Sequence, residues 1–393
     1  MEFYQYELST YRPEFRRQII ELQKHLWSND QDLNAACLEW KYDNNPYLDA
    51  TFIYSAFSGD QMVGMLGACG SKWKIGKSCG LWSALYFADF VIHPDHRQKG
   101  LAGKLMSFAL NDLSNTEYSY VFDFGAGEED FGLGMLLSGW RRIGYIQTAH
   151  WQVTPEAGLK RIGGVTKKLS LINSTFRRLK RYTEILSFAR SSKARHSFDT
   201  LDAKGTLQAR KIDSHVSIGK SPRSAEMAEL VQAIDAKERL QHVRDKEYFT
   251  WRFKNPLSQY RFLFWDDGGL EGYLALQAQV YPTNGRGWAN IVDWEAKQSE
   301  VLKDLLQAAI HFGNFDHLTI WSATLADETH DLLQSMGFYF LDSVGSVTRD
   351  VRLPSILAKP IRQDILNGEW RLGERRLLDL DNWDLRMIYS DDF

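Results

Sequence analysis

At 393 residues, with 44% hydrophobic and 13% aromatic side chains, the chain is too long for one small domain and too apolar for global disorder. A net charge of −3 gives no whole-chain case for nucleic-acid binding. Cys37, Cys69 and Cys79 form no C-x-x-C spacing, which argues against a disulfide framework or a cysteine metal site and fits buried thiols in a reducing compartment. The first 17 residues carry charges where a secretion signal needs an apolar run, and no window reaches the length of a membrane span. The expected location is the cytoplasm.

In chain order, residues 2–8 suggest a strand, and Pro13 opens a helix that can bury Phe15, Ile19, Leu22 and Leu26. A second helix, Leu33 to Tyr42, stops at Asn44-Asn45-Pro46. Thr51–Phe57 and Met62–Cys69 read as a hairpin turned at Ser58-Gly59-Asp60. Gly70 to Ser78 is one residue out of phase with a phosphate-binding Walker loop and is expected to be a basic loop. A buried strand, Leu85–Ile92, a turn from His93 to Lys99 and an amphipathic helix, Leu101–Asn111, follow. Tyr118–Phe124 is the next strand. A helix from about Glu128 then ends at Ser138-Gly139-Trp140, with strands through Tyr145 to Val153. Residues 156–205 are crowded with Lys and Arg, and apolar residues recur between them at helical spacing, as in a basic amphipathic helix. Two readings of this connector stay open. It packs an apolar stripe on a domain, or residues 160–195 are drawn to an anionic membrane surface or a polyanionic substrate.

The turn Arg97-Gln98-Lys99-Gly100-Leu101-Ala102 carries the chemistry. A helix N-terminus presents unpaired N–H groups and partial positive charge. Gly100 lets the backbone approach a phosphate, and Arg97 and Lys99 add charge at the mouth, so the turn reads as an anion cradle. His93 and His96 flank Asp95 without a helical metal spacing, and no metal site is expected.

The pattern then starts again. A helix is expected over Ala225–Leu240 and another over Asp245–Phe253. Trp251-Arg252-Phe253-Lys254-Asn255-Pro256 repeats the order of Trp40-Lys41-Tyr42 through Asn45-Pro46. Trp40 and Trp251 are expected to pack under their hairpins. A second hairpin (Tyr260–Trp265, Leu270–Val280), a strand (Trp288–Trp294), a helix (Val301–Phe312), a strand (Leu318–Trp321) and a helix reaching Met336-Gly337-Phe338 complete the copy. Its turn, Asp293 to Gln298, has no glycine and carries acids, so this copy is expected to have lost the cradle.

Strand, His93-Pro94, Asp95-x-Arg97, Gly100-x-Ala102 and helix, in that order, resemble the coenzyme A loop of the GNAT (GCN5-related N-acetyltransferase) superfamily. The Gly139-Trp140 and Gly337-Phe338 pairs resemble the residues that close a helix in that family. The resemblance implies an α/β (α+β) protein of two tandem GNAT-like folds, each a mixed, mostly antiparallel sheet with flanking helices. The expected divisions are 1–155 (acyl-CoA site), 156–205 (connector), 206–350 (degenerate copy) and 351–393 (docked tail). It implies acetyl transfer from acetyl-CoA to a small-molecule amine. The N–H of Val91 or Ile92 would stabilise the oxyanion, the N–H groups of Gln98, Lys99, Gly100, Leu101, Ala102 and Gly103 would take the pyrophosphate, and His93 and Arg97 complete the cofactor site. Asp89 is the first choice of base, with Tyr86 and Asp123 in reserve, and Tyr145 or solvent would serve as the acid. The helix before Gly139-Trp140 lacks the tyrosine that many members use as acid. The acceptor class suggested by such tandem proteins is an amino-sugar nucleotide or glycan precursor for polysaccharide synthesis. A peptide, antibiotic or polyamine amine is the alternative, and a non-catalytic acyl-CoA sensor is a third reading. The sequence does not fix the oligomeric state.

Overall fold

The computed structural model describes residues 5–76, 80–126, 129–152, 198, 215–234, 238–279, 288–313, 315, 317–340 and 354–390. The expected basic connector therefore lies outside the described residues. The chain forms two compact units, and neither is contiguous in sequence. Unit 1 comprises 1–146, 222–257 and 353–393, and unit 2 comprises 147–221 and 258–352.

Unit 1 is built on a sheet in the order β1-β2-β3-β4-β5-β15-β6. Its strands are β1 (Glu7–Thr10), β2 (Phe52–Ser58), β3 (Gln61–Ile75), β4 (Leu81–Ile92), β5 (Tyr120–Ala126), β6 (Arg141–Tyr145) and β15 (Ser355–Pro360). β1 to β4 are antiparallel, β4 and β5 are parallel, and β15 inserts antiparallel between β5 and β6. The stretch Gly70–Ile75, expected as a loop, continues β3, because a third strand covers its far end. This is β9 (Leu240–His242), which pairs antiparallel with Trp73–Ile75. The helix expected to run to Leu240 consequently stops early, at Ala233.

One face of this sheet carries α3 (Leu101–Leu113), whose Leu101, Leu105, Met106, Ala109 and Leu113 share a core with Tyr54, Val63, Leu66, Leu85, Phe87 and Val121. That spacing is the apolar stripe of an amphipathic helix. α4 (Glu129–Leu137) is closed by Gly139 at φ 87°, a left-handed cap that suits glycine, and Trp140 then plugs into the same core.

α1 (Arg16–Leu22) and α2 (Gln31–Leu38, capped by the Asp30 carboxylate) lead into one wide π-helical turn, Glu39–Asp43. The wide turn buries three consecutive side chains, Trp40, Lys41 and Tyr42. Unit 1 also contains α5 (Ser224–Ala233) and α6 (Lys246–Arg252) from the second repeat. Here the repeated tryptophans meet. Trp40 and Trp251 stack at 5.3 Å and 13°. Trp40 Nε1 donates to the Trp251 carbonyl at 2.9 Å, and Trp251 Nε1 donates to the Trp40 carbonyl at 2.7 Å. They do pack, as expected, but on one another. The Asn-Pro pairs are equivalent too. Asn45 Oδ1 accepts from Tyr47 N at 2.9 Å, and Asn255 Oδ1 accepts from Leu257 N at 3.0 Å, so each turns the chain into its hairpin. The C-terminal residues are part of this unit. Arg252 donates to the carbonyls of Ile388 (2.8 Å) and Ser390 (2.6 Å), and Trp383 is fully buried.

Unit 2 holds the second sheet, in the order β14-β7-β13-β12-β11-β10-β8. Its strands are β7 (Thr148–Gln152), β8 (Val216–Gly219), β10 (Ser258–Asp266), β11 (Leu270–Gln279), β12 (Trp288–Ala296), β13 (His317–Trp321) and β14 (Tyr339–Phe340). α7 (Ser299–Gly313) packs Val301, Leu302, Leu305, Leu306, Ala308 and Ala309 on Leu263, Leu274, Leu276, Ile291, Leu318 and Ile320. α8 (Asp327–Ser335) ends at Gly337, φ 93°, followed by the buried Phe338, matching Gly139-Trp140. Both sheets thus show the mixed, mostly antiparallel order expected of two GNAT-like folds, with one exchange. β7 follows β6 in sequence but joins the second sheet, and β15 returns to the first.

Replacing Trp40 with Ala should lower unfolding free energy by about 3–5 kcal/mol. The Trp40→Ala/Trp251→Ala pair should fall short of additivity by at least about 0.5 kcal/mol in a double-mutant cycle, because both changes remove one stacked, doubly bonded unit. Additive losses in denaturant unfolding would show the rings to be independent. A chain truncated after residue 350 should fail to give a soluble, cooperatively unfolding protein, since β5 and β6 lose the strand between them; a normal melting curve would contradict the assigned strand order.

Candidate active site

β4 and β5 are hydrogen-bonded neighbours only at Leu85↔Val121 and Tyr86↔Phe122. β4 nevertheless runs on to Ile92 and β5 to Ala126. The strands therefore part after Tyr86 and leave a gap between them. β4 stays paired with β3 across this region, with one break. Gly67 faces Ala88 but Met65 faces Val91, so Asp89 and Phe90 bulge opposite Leu66. Asp89 sits at φ 51°, in the left-handed region.

The bulge decides where backbone groups point. His93 N donates to the Val63 carbonyl at 2.8 Å. Hydrogen-bonded pairs alternate along an antiparallel ladder, so Met65/Val91 is the next such pair and Val91 spends its N–H on β3. Ile92 lies between these pairs. Its N–H turns away from β3, to the side from which β5 has departed. Of the two oxyanion donors expected, the geometry favours Ile92.

At the end of β4, residues 93–100 lead into α3. The His93 ring accepts from Asp95 N, and Arg97 Nε donates to the Ile92 carbonyl at 3.1 Å, folding the loop back onto the strand. Gln98 at φ 58° and Gly100 at φ 73° turn the backbone over before the helix. A Cβ built on Gly100 or Gly103 meets nothing within 4 Å, so open space lies over the first turn of α3. Leu101, Ala102 and Gly103 are the first three residues of the helix, whose N–H groups have no carbonyl one turn back; the first bond is Lys104 N to Gly100 O, at 3.4 Å. Burial, then the charge of Lys99 and of His93, pulls His96 below the usual imidazole range. Arg97 and Lys99 bring positive charge to the mouth. Donors, charge and clearance fit a diphosphate.

The proton-transfer candidates are not gathered at one point. Tyr86 stands where the strands part, 7% exposed, on the side of Phe124. Asp123 follows Phe122, the partner of Tyr86, and so faces the opposite side of the sheet; it accepts from Gly125 N at 2.9 Å. Tyr145 lies on β6, three strands from β4 in the sheet order, with Arg142 stacked on its ring. Asp89 is 5% exposed and fully engaged. Lys41 Nζ lies 2.7 Å from Oδ1 and Trp27 Nε1 lies 3.1 Å from it, while Tyr42 Oη and Gln23 Nε2 donate to Oδ2 at 3.0 and 3.4 Å. Lys41 is itself 1% exposed, with the Trp27 ring 4.7 Å from its ammonium. A Cβ on Gly67 would come within 1.7 Å of Tyr42 Oη, so that glycine clears the path from Tyr42 to Asp89. Sequence reasoning named none of these four partners as site residues. The available signal was a base between aromatics, Trp40-Lys41-Tyr42, in a stretch with no solvent-facing spacing.

In the second sheet only residues 297 and 298 separate β12 from α7. Lys297 is stitched to Glu271 through its N–H (3.0 Å) and its ammonium (2.7 Å). β13 ends at Trp321, one residue beyond its last pair with β12. The loop and the second wall of a cleft are both missing. Among the described residues no group of three or more His, Cys, Asp or Glu side chains could hold a metal, and no helix is long and apolar enough to cross a membrane.

Residues 7–129 match the family model of the acetyltransferase (GNAT) domain. No curated protein matches the chain. Among solved structures, a GCN5-related N-acetyltransferase from Anabaena variabilis ATCC 29413 aligns at TM-score 0.54 and 12% identity, over 91% of this chain and 73% of that one. A conserved protein of Enterococcus faecalis V583, described as a probable N-acyltransferase, aligns at TM-score 0.52 and 10% identity, over 91% and 73%. A GCN5-related N-acetyltransferase from Kribbella flavida aligns at TM-score 0.52 and 12% identity, over 91% and 72%. At these identities the structures speak for the fold. Together with the parted strands and the glycine turn of the matched domain, they show a chain whose residues 7–129 match a GNAT acetyltransferase domain and whose two sheets share the GNAT-like fold of those structures.

Proposed function

We propose that unit 1 transfers an acetyl group from acetyl-CoA to the amine of a small-molecule acceptor. The observation that carries this reading is the parting of β4 from β5 immediately before a glycine turn that caps a helix. The N–H groups of Gln98 to Gly103 would hold the pyrophosphate, with Arg97 and Lys99 at its rim and His93 shaping the entry. The gap between the strands would take the pantetheine arm. Bound there, acetyl-CoA supplies an activated thioester. The attacking amine forms the C–N bond, the C–S bond breaks, and the sulfur leaves as a thiol once protonated. The Ile92 N–H would stabilise negative charge on the carbonyl oxygen. Tyr86 is the side chain nearest the parting of the strands and is our first choice for handling a proton, ahead of Asp123 and Tyr145.

The acceptor we favour is an amino-sugar nucleotide or glycan precursor, in a cytoplasmic step of polysaccharide synthesis. This narrower choice rests on the sequence resemblance. A peptide, antibiotic or polyamine amine is the competing class. One observation favours a non-catalytic acyl-CoA sensor instead: α4, Glu129–Leu137, contains no tyrosine to act as acid.

Acetyl-CoA at 100 times its Kd should stabilise the protein by about 2.7 kcal/mol, seen as a rise in Tm. Gly100→Asp should remove that rise. Asp tolerates the left-handed backbone at this position, so the fold survives while a negative side chain enters the cradle. An undiminished rise in this variant would place the cradle elsewhere. Thiol release over a panel of amino sugars, polyamines and peptides should exceed the acceptor-free rate for one class; uniform background with tight acetyl-CoA binding would support the sensor.

A further inference from the structure

The most heavily constrained group near the cleft is the carboxylate of Asp89. A residue at φ 51° within a strand is strained and persists only where its surroundings enforce it. Here the enforcement is visible. All four donors to Asp89 come from one stretch, Gln23 to Tyr42. Two reach Oδ1 and two reach Oδ2, which fills the roughly four lone-pair positions of a carboxylate. Its side chain is 1% exposed. A general base needs a free lone pair within reach of the proton it removes, and Asp89 offers none.

What the four donors do is hold the bulge. Above it, Leu85 and Phe87 point into the core beneath α3; below it, Ile92 points into the same core. An odd-numbered run has become an even one, which requires one extra residue in the strand. That extra residue puts Ile92's side chain inward and its N–H toward the gap.

We propose that Asp89 is a positioning residue for the acyl group, pinned by the buried Lys41 ammonium and by Tyr42, Trp27 and Gln23, so that the helical segment before the first hairpin sets the aim of the Ile92 N–H. The inference rests on the acyl-CoA reading of the same cleft. It assigns to Lys41 and Tyr42 a role in binding the thioester end of the cofactor and none in binding the diphosphate end, which belongs to residues 98–103.

That division gives the test. Binding of acetyl-CoA is compared by calorimetry with binding of its headgroup alone, adenosine 3′-phosphate 5′-diphosphate. In Lys41→Met/Asp89→Gly the glycine permits the left-handed backbone but nothing pins it, and no buried charge is stranded. Its acetyl-CoA affinity should fall about tenfold, near 1.4 kcal/mol and the worth of one aimed hydrogen bond, while headgroup affinity stays within about twofold. Lys41→Met/Asp89→Asn keeps an oxygen to accept from Trp27 and turns an amide NH2 to the Tyr42 hydroxyl, which can accept as well as donate, so the bulge stays pinned and acetyl-CoA affinity should recover to within about threefold of wild type. A glycine variant with the wild-type ratio of the two affinities, or an asparagine variant as weak as the glycine one, would overturn the assignment. Should the glycine variant not fold, Tyr42→Phe removes one donor only; its ratio should drop about threefold, and an unchanged ratio would equally overturn the proposal. If wild-type protein binds neither ligand, the acyl-CoA reading itself fails and this inference falls with it.

Discussion

A single extra residue in β4, held by a buried ion pair, is the constraint on which the cleft depends. Without the bulge at Asp89 and Phe90, β4 would keep one register along β3, and alternation would turn the Ile92 side chain out of its core. Breaking the Lys41–Asp89 contact by removing one partner would strand a buried charge, a loss of about 3–5 kcal/mol. Such a pair is weak evidence for net stability, since an apolar pair of similar volume does as well. What it supplies is a unique arrangement: one carboxylate, four donors and a backbone conformation that few alternatives could satisfy at once.

The two sheets share one set of folding devices and differ in the turn that leads into the packed helix. Both retain the Asn-Pro entry, the hairpin, the amphipathic helix and the left-handed glycine followed by a buried aromatic. These are devices for folding, each satisfying backbone groups or filling a core. The second copy lacks the long turn between β12 and α7, and Lys297 ties what remains to Glu271. Chemistry and fold therefore separate cleanly along the chain. The parts shared by both copies specify the sheet, and the parts found in one specify the cleft.

Much of this was legible in the sequence because it is local. Periodicity marked α3 and α7, Gly139-Trp140 and Gly337-Phe338 marked helix ends, and the repeat around Trp40 and Trp251 marked equivalent positions. The glycine turn could be read because helix termini and glycine have position-specific physics. What could not be read is non-local. β7 and β15 exchange sheets, and nothing in Thr148–Gln152 or Ser355–Pro360 distinguishes one alternating partner from another. The continuation of β3 to Ile75 depends on β9, more than 160 residues later. Asp89 could be located but not interpreted, since its role depends on Gln23, Trp27, Lys41 and Tyr42, whose approach follows from a wide turn and from the missing side chain at Gly67.

The central claim is that the main chain at the start of α3 grips a diphosphate while the start of α7 does not. Amide hydrogen exchange followed by mass spectrometry, with and without acetyl-CoA, addresses it directly. The account predicts protection by acetyl-CoA in peptides spanning Ile92 and Gln98–Gly103, with no change over Lys297–Val301. Protection confined to the α7 segment, or spread equally over both, would contradict it.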